Sequence, residues 1–242
     1  MDKILKGIQH FQQTVFPKNR ILFEQLAAGQ RPEVLVVGCS DSRLSLDMIT
    51  QTSPGDMFVC RNAGNIVPAH HQTDAVSATI EFAVSALKIR HIVVCGHSDC
   101  GAMKGLLHPE TLTEMPHVSR WLQHAEGARR ALDELHPGAT ERDALAAVTR
   151  LNVRLQLKHL ETHPHVFAHL RSGRLKLHGW VFQIESGEIE GWDNGESRWI
   201  SLVDKAFNSP WEGPPEESAL THALSQSRTP VVAGRALHAR GE

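Results

Sequence analysis

Cys39 and Asp41, then His97 and Cys100 much later, are the side chains of this chain best suited to chemistry. Thiolate, imidazole and carboxylate are the donors zinc prefers, and zinc takes four of them in a tetrahedron. Any one alone has a bland reading: a buried apolar cysteine, or a hydrogen-bonded histidine. Together, in loops that follow apolar runs, they point to a metal site. Arg43 adds a second possibility. It stands two residues from Asp41 and can pair with that carboxylate bidentately. A carboxylate with two partners implies two states. With Asp41 on the metal the site is closed. With Asp41 on Arg43 the fourth position is free for water, which is the catalytic arrangement.

These residues need a frame to bring them together. Val34-Leu35-Val36-Val37 is a short apolar run between Pro32 and Gly38 and reads as a buried strand ending near Cys39. Ser53-Pro54-Gly55-Asp56 is a turn, and Met57 to Cys60 a second strand. Val76, Ile80, Ala83 and Leu87 recur at helical spacing from about Thr73, with Asp74 in the first turn. His91 to Cys95 gives a third strand, directly before His97. This β-α-β alternation argues for an α/β fold with a central, mostly parallel sheet and flanking helices. In such sheets ligands gather outside the carboxyl ends of strands where the topology reverses, so the loops after the first and third strands can converge. Helices are expected over 2–28, around Trp121 to Ala125 and through Leu145 to Leu155, and a fourth strand over 175–184. Ile189–Trp192 and Trp199–Leu202 flank Asp193-Asn194-Gly195, which predicts a terminal hairpin with an antiparallel edge strand. Cys60 and Cys95 fall inside strands and read as core residues.

Composition narrows the classes. A net charge of -2 provides no field for nucleic acid or an anionic membrane. No tyrosine is present, so no phenol can serve as acid or base. Four scattered cysteines do not make a disulfide scaffold and suit a reducing compartment. The first residues carry no apolar signal core, no run is long enough for a bilayer, and a cytoplasmic location is expected. His159, His163, His165 and His169 are interrupted by Pro164 and read as solvent-facing; His70 and His71 are better placed to carry protons. From Asn208 a breaker cluster, Ser209-Pro210-Trp211-Glu212-Gly213-Pro214-Pro215, opens an aperiodic tail. The division expected is a domain over 1–205 and an extension over 206–242, flexible or interface-forming.

The chain resembles the β-class carbonic anhydrases. The likeness rests on Cys39-Ser40-Asp41-Ser42-Arg43, on Pro54 to Val59 with Arg61 to Pro68, on Ile80 to Val84, and on Cys95-Gly96-His97-Ser98-Asp99-Cys100-Gly101. Weaker similarity continues through Thr162-His163-Pro164 and His178-Gly179-Trp180. The resemblance implies one zinc ion per subunit on Cys39, His97 and Cys100, with Asp41 and Arg43 as a dyad and Asp41 as fourth ligand in a closed state. It implies reversible hydration of carbon dioxide to bicarbonate and a proton by zinc-hydroxide attack, in a homodimer or dimer of dimers. Gln30 matches a substrate-orienting glutamine that acts across a dimer interface, and Gly101 a backbone amide that faces substrate oxygen. Phe58, Ala63 and Phe82 match the substrate pocket, with Phe82 where a tyrosine is frequent. An allosteric branch of the family binds bicarbonate beside the dyad through a tryptophan, an arginine and a tyrosine. Here the first is Val36 and the third is missing; Arg61 is present, and Gly38 is compatible. That favours the open, plant-type branch. Two alternatives stay open at this point: hydrolysis of carbonyl sulfide or carbon disulfide by the same centre, and a non-catalytic structural zinc site.

Overall fold

Val34 to Val37 has no polar face to offer solvent, so it must be covered on both sides, and in the computed structural model of the protein it is an inner strand. The structure describes residues 1–71 and 73–203. These fall into two units, residues 1–31 and residues 32–203. The first is helical: α1 (Asp2–His10), a π-turn over Phe11–Val15, α2 (Phe16–Lys18) and α3 (Arg20–Ala27). Phe11, Phe16 and Phe23 cluster at its centre, with ring centroids 5.3 to 6.1 Å apart. Ile4, Leu5, Ile8 and Ile21 remain exposed.

The second unit is built on a six-stranded sheet in the order β2-β1-β3-β4-β5-β6. β1 (Val34–Cys39), β2 (Met57–Asn62), β3 (His91–His97) and β4 (Lys176–Phe182) are parallel, whereas β5 (Ile189–Asp193) and β6 (Arg198–Ser201) are antiparallel. The chain leaves β1 for β2 on one side and returns to β3 on the other. The reversal therefore lies between the ends carrying Cys39 and His97. Between the strands run α4 (Leu46–Thr50), α5 (Ala75–Ser85), α6 (Gly101–Leu107), α7 (Pro116–Leu122), α8 (Glu126–Leu135), α9 (Glu141–Glu161) and α10 (Pro164–Arg171). Asp74 is the N-cap of α5 rather than part of its first turn, accepting from the amides of Val76 and Ser77 at 2.7 and 3.0 Å. No helix among the described residues is long and apolar enough to cross a membrane. The extension expected over 206–242 lies outside the described residues.

Alternation along β1 divides the core into two layers. Leu35 and Val37 belong to one with Ile80, Val84 and Val94; Val36 belongs to the other with Leu44, Ile66, Met103 and Leu106, and Cys39, at the strand's end, joins that second layer against the alternation. The long helix α9 presents Val148, Thr149, Asn152, Val153, Gln156, Leu157 and Leu160 as its buried stripe. It comes close because β3 and β4 offer glycines beneath it. A Cβ at Gly179 would stand 2.9 Å from Val153 Cγ1 and 3.0 Å from Leu157 Cδ1; one at Gly96 would stand 2.9 Å from Val153 Cγ2. Gly179→Ala should lower unfolding stability by about 1–3 kcal/mol through overpacking, read from the urea midpoint.

At the opposite end of the strands, His91 Nδ1 and His178 Nε2 lie 3.0 Å apart and share one proton. Burial, then the charges of His91 and Lys176, lowers the His178 imidazole from its ordinary value. Burial likewise lowers His159 and His163. The expectation of solvent-facing histidines over 159–169 needs correction here, because His163 is buried and its Nε2 meets the Pro68 carbonyl at 2.9 Å. A histidine whose folded value is depressed binds its proton more weakly folded than unfolded. Its stabilising contribution is intact above the unfolded value, about 6.5, and is lost as pH falls through it. The denaturation midpoint should fall between pH 7.5 and 5.5, and His178→Gln should flatten that fall.

Candidate metal centre

Cys39 closes β1, His97 closes β3, and Cys100 is the N-cap of α6. Their ligand atoms lie within 4.8 Å of one another, and all three residues are buried. The two sulfurs are 3.9 Å apart, too far for a disulfide. Two thiolates on one tetrahedral ion, each at about 2.3 Å, would stand roughly 3.8 Å apart, so the spacing fits a shared ion. The imidazole is set for the same task. His97 Nδ1 faces the Ser98 carbonyl at 2.9 Å and must carry the proton, because a carbonyl only accepts. That leaves the lone pair on Nε2. This atom is buried without a hydrogen-bond partner among the described residues. A buried polar atom with nothing to bond is expensive, and a metal ion would satisfy it.

Proton chemistry supports the pairing. The sulfur of Cys100 draws the Cys39 thiol well below its ordinary range, with His97 and the Gly64 amide adding to the effect against burial. Cys100 is pushed up in turn by Cys39 and by burial. One thiolate thus forms readily before any metal arrives.

Asp41 is turned to Arg43. The guanidinium donates from Nε to Oδ1 at 2.9 Å and from Nη2 to Oδ2 at 2.8 Å, and the Arg43 amide reaches Oδ1 at 3.0 Å. These bonds hold the carboxyl far below the ordinary carboxylate range. Oδ2 remains 3.8 Å from His97 Nε2, at the rim of the ligand cluster. Asp41 is therefore paired with Arg43 and stands beside the ligand cluster. Arg61 is engaged with the backbone through Nε and Nη2. It donates to the carbonyls of Cys39, Asp41 and Leu44 at 2.8 to 2.9 Å and so fixes the β1–α4 loop.

A second loop, 62–68, closes over Cys39. The Gly64 amide donates to Cys39 Sγ at 3.4 Å. Gly64 has φ +80, a conformation that favours glycine. Three remote side chains hold this loop: Trp121 Nε1 on the Ala63 carbonyl, Asn152 Nδ2 on the Gly64 carbonyl, and Gln156 Oε1 on the Val67 amide, at 2.9 to 3.0 Å. Gln156 Nε2 donates to Asn152 Oδ1 at 2.7 Å, joining the pair. Sequence reasoning missed Asn152 and Gln156. The available signal was two amides four residues apart within the apolar stripe of Val148, Val153, Leu157 and Leu160. Asn152→Ala should weaken metal affinity about 10- to 100-fold, as loss of outer support typically does, measured against a chromophoric chelator.

The other expected site residues are dispersed. Gly101 begins α6 beside Cys100, exposed, with space around its α-carbon. Ala63 stands beside Gly64 in the loop over Cys39. Phe58 and Phe82 pack on each other, centroids 5.9 Å apart, and Phe58 belongs to the layer of Leu35 and Val37, away from Cys39. Phe82 is 49% exposed. Gln30 is exposed in the first unit. Cys95 is buried and Cys60 half-buried, and neither joins the ligand cluster.

The chain as a whole is similar to known proteins. The family model described as carbonic anhydrase matches residues 34–189. A carbonic anhydrase of Pseudomonas aeruginosa is 47% identical over 205 residues, which cover 84% of this chain and 93% of that protein. Carbonic anhydrase 1 of Escherichia coli O157:H7 is 46% identical, covering 84% and 93%. Among solved structures, the β-carbonic anhydrase CcaA superposes with a TM-score of 0.81 at 41% identity, covering 83% of this chain and 98% of its own. One of two tetrameric β-carbonic anhydrases from Sordaria macrospora gives 0.71 at 34% identity, covering 78% and 95%.

Proposed function

The chain belongs to the β-carbonic anhydrase family, enzymes of reversible carbon dioxide hydration, and on that premise we propose that Cys39, His97 and Cys100 hold one zinc ion per subunit, with the Asp41–Arg43 dyad beside it. The observation that carries this reading is the bidentate Arg43–Asp41 pair next to three converged ligand atoms. A purely structural zinc site has no use for such a pair. When bound, zinc supplies Lewis acidity that makes water nucleophilic near neutral pH, though two thiolates temper this more than three imidazoles would.

The chain's own residues supply the rest. Asp41, kept anionic by Arg43, accepts a hydrogen bond from the attacking water and fixes its orientation. The Gly101 amide donates to a substrate oxygen. Gln30 reaches carbon dioxide from a second copy, and Phe58 and Phe82, turned away from their own ligand cluster, are free to line a neighbour's pocket. The minimal assembly is then a homodimer, or a dimer of dimers as in the tetrameric relative from Sordaria. The exposed apolar residues of α1 support it. The catalytic domain spans 1–205, with 206–242 as an extension. Four free cysteines suit the cytoplasm.

Stopped-flow hydration of carbon dioxide across about pH 6.5 to 9, with zinc quantified, tests the reading. Turnover should rise on the alkaline side of neutral. The rise does not belong to Asp41, whose depressed value leaves it ionised throughout this range. Full zinc occupancy with no turnover at any pH would overturn the proposal.

A further inference from the structure

Asp99 lies between two of the ligands, and the mechanism above gives it no part. Its backbone has φ +55, in the left-handed region that aspartate tolerates better than most residues. Ser98, just before it, is anchored to the end of β4: its amide donates to the Phe182 carbonyl at 2.8 Å, and its hydroxyl accepts from the Ile184 amide at 2.9 Å. From this fixed point Asp99 offers two acceptors to one arginine. Arg43 Nη1 donates to Asp99 Oδ2 at 2.9 Å, and Arg43 Nη2 donates to the Asp99 carbonyl at 3.0 Å. The other carboxylate oxygen of Asp99 takes Lys104 Nζ from α6.

The contacts of Arg43 do not compete. Asp41 uses the Nε hydrogen and one on Nη2; Asp99 uses the other on Nη2 and one on Nη1. Four of the five guanidinium hydrogens are engaged, each once. This matters because the Arg43 side chain is 43% exposed. An isolated ion pair at that exposure is worth little, whereas a shared network spreads the entropy of fixing one arginine over several bonds.

We propose that Asp99 is a positioning residue for the reaction, clamping Arg43 so that its fork stays aimed at Asp41 and keeps that carboxylate off the metal. It also ties the loop that follows Cys39 to the turn that joins His97 to Cys100. The inference rests on the functional reading above, in which release of Asp41 from the metal leaves room for water.

The test uses full-length zinc-loaded enzyme and two variants that tolerate the left-handed backbone, Asp99→Asn and Asp99→Gly. Each should keep full zinc and lose about three- to tenfold in kcat/KM, mostly in kcat. In an Arg43→Ala background, Asp99→Gly should cost no more than about twofold further, because its target is gone. The 15N-resolved Nε–H signal of Arg43 should be sharp in the parent and broadened in Asp99→Gly. An unchanged Arg43 signal, or a loss from Asp99→Gly as large without Arg43 as with it, would overturn the clamp. The Arg43 signal decides this without reference to turnover, so failure of the clamp is distinct from failure of the carbonic anhydrase reading.

Discussion

Cys39→Ala should purify folded but without stoichiometric zinc, and its carbon dioxide hydration should fall at least about a thousandfold, close to the uncatalysed rate. Two observations set the size of this effect. Among the described residues three Cys and His donors converge and Cys39 supplies one of them, so its loss leaves two. It is also the thiol most ready to ionise, with Cys100, His97 and the Gly64 amide all favouring its anion. Metal binding needs the deprotonated ligand, and here that cost has been met in advance. Cys60→Ala serves as the control, since Cys60 lies in a strand outside the cluster and should keep full metal and activity. Zinc by atomic absorption and turnover by stopped flow decide the matter. A zinc-replete, active Cys39→Ala protein would mean that the ion sits elsewhere.

Arg43→Ala should have the second-largest effect, about a hundredfold loss in kcat/KM with zinc retained. In the parent, Arg43 gives Asp41 three hydrogen bonds, including its own amide. Without the side chain, Asp41 keeps only the amide, and its Oδ2, already 3.8 Å from His97 Nε2, has the ligand cluster as its best remaining partner. The carboxylate should then close the site. Retained zinc with lost turnover is the signature that separates this from Cys39→Ala. Arg43→Lys should restore little, because an ammonium cannot match a carboxylate bidentately. A variant as active as the parent would show that Asp41 needs no arginine.

The central strands and the ligand set were legible for the same reason. Val34 to Val37 and His91 to Cys95 are short apolar runs, and Cys39 and His97 sit just beyond them, so strand ends and ligand positions are one inference. The dyad was legible because Asp41 and Arg43 are two residues apart. Less local features were not. Asn152 and Gln156 reach Gly64 and Val67 across about ninety residues of chain, and no periodicity announces such a contact. Arg61 could be matched to an anion-binding arginine by position, but the sequence does not show that its Nε and Nη2 hydrogens go to three backbone carbonyls. His163 was misread because Pro164 was taken only as a break in spacing. In the structure Pro164 starts α10, where its missing N–H costs nothing, and His163 turns inward as the N-cap residue.

Helix α9 meets the sheet over Gly96 and Gly179, and the same helix carries the two amides that grip the 62–68 loop. Opening of the loop over Cys39 should therefore be coupled to α9. Asn152 holds the Gly64 carbonyl from a helix whose next residue, Val153, is seated on two glycines. In hydrogen exchange, Gly64 and Val67 should share the slow, cooperative behaviour of β3 rather than the fast breathing of a surface loop. Slow exchange there would mean that so small a substrate and product pass a wall that need not open between turnovers.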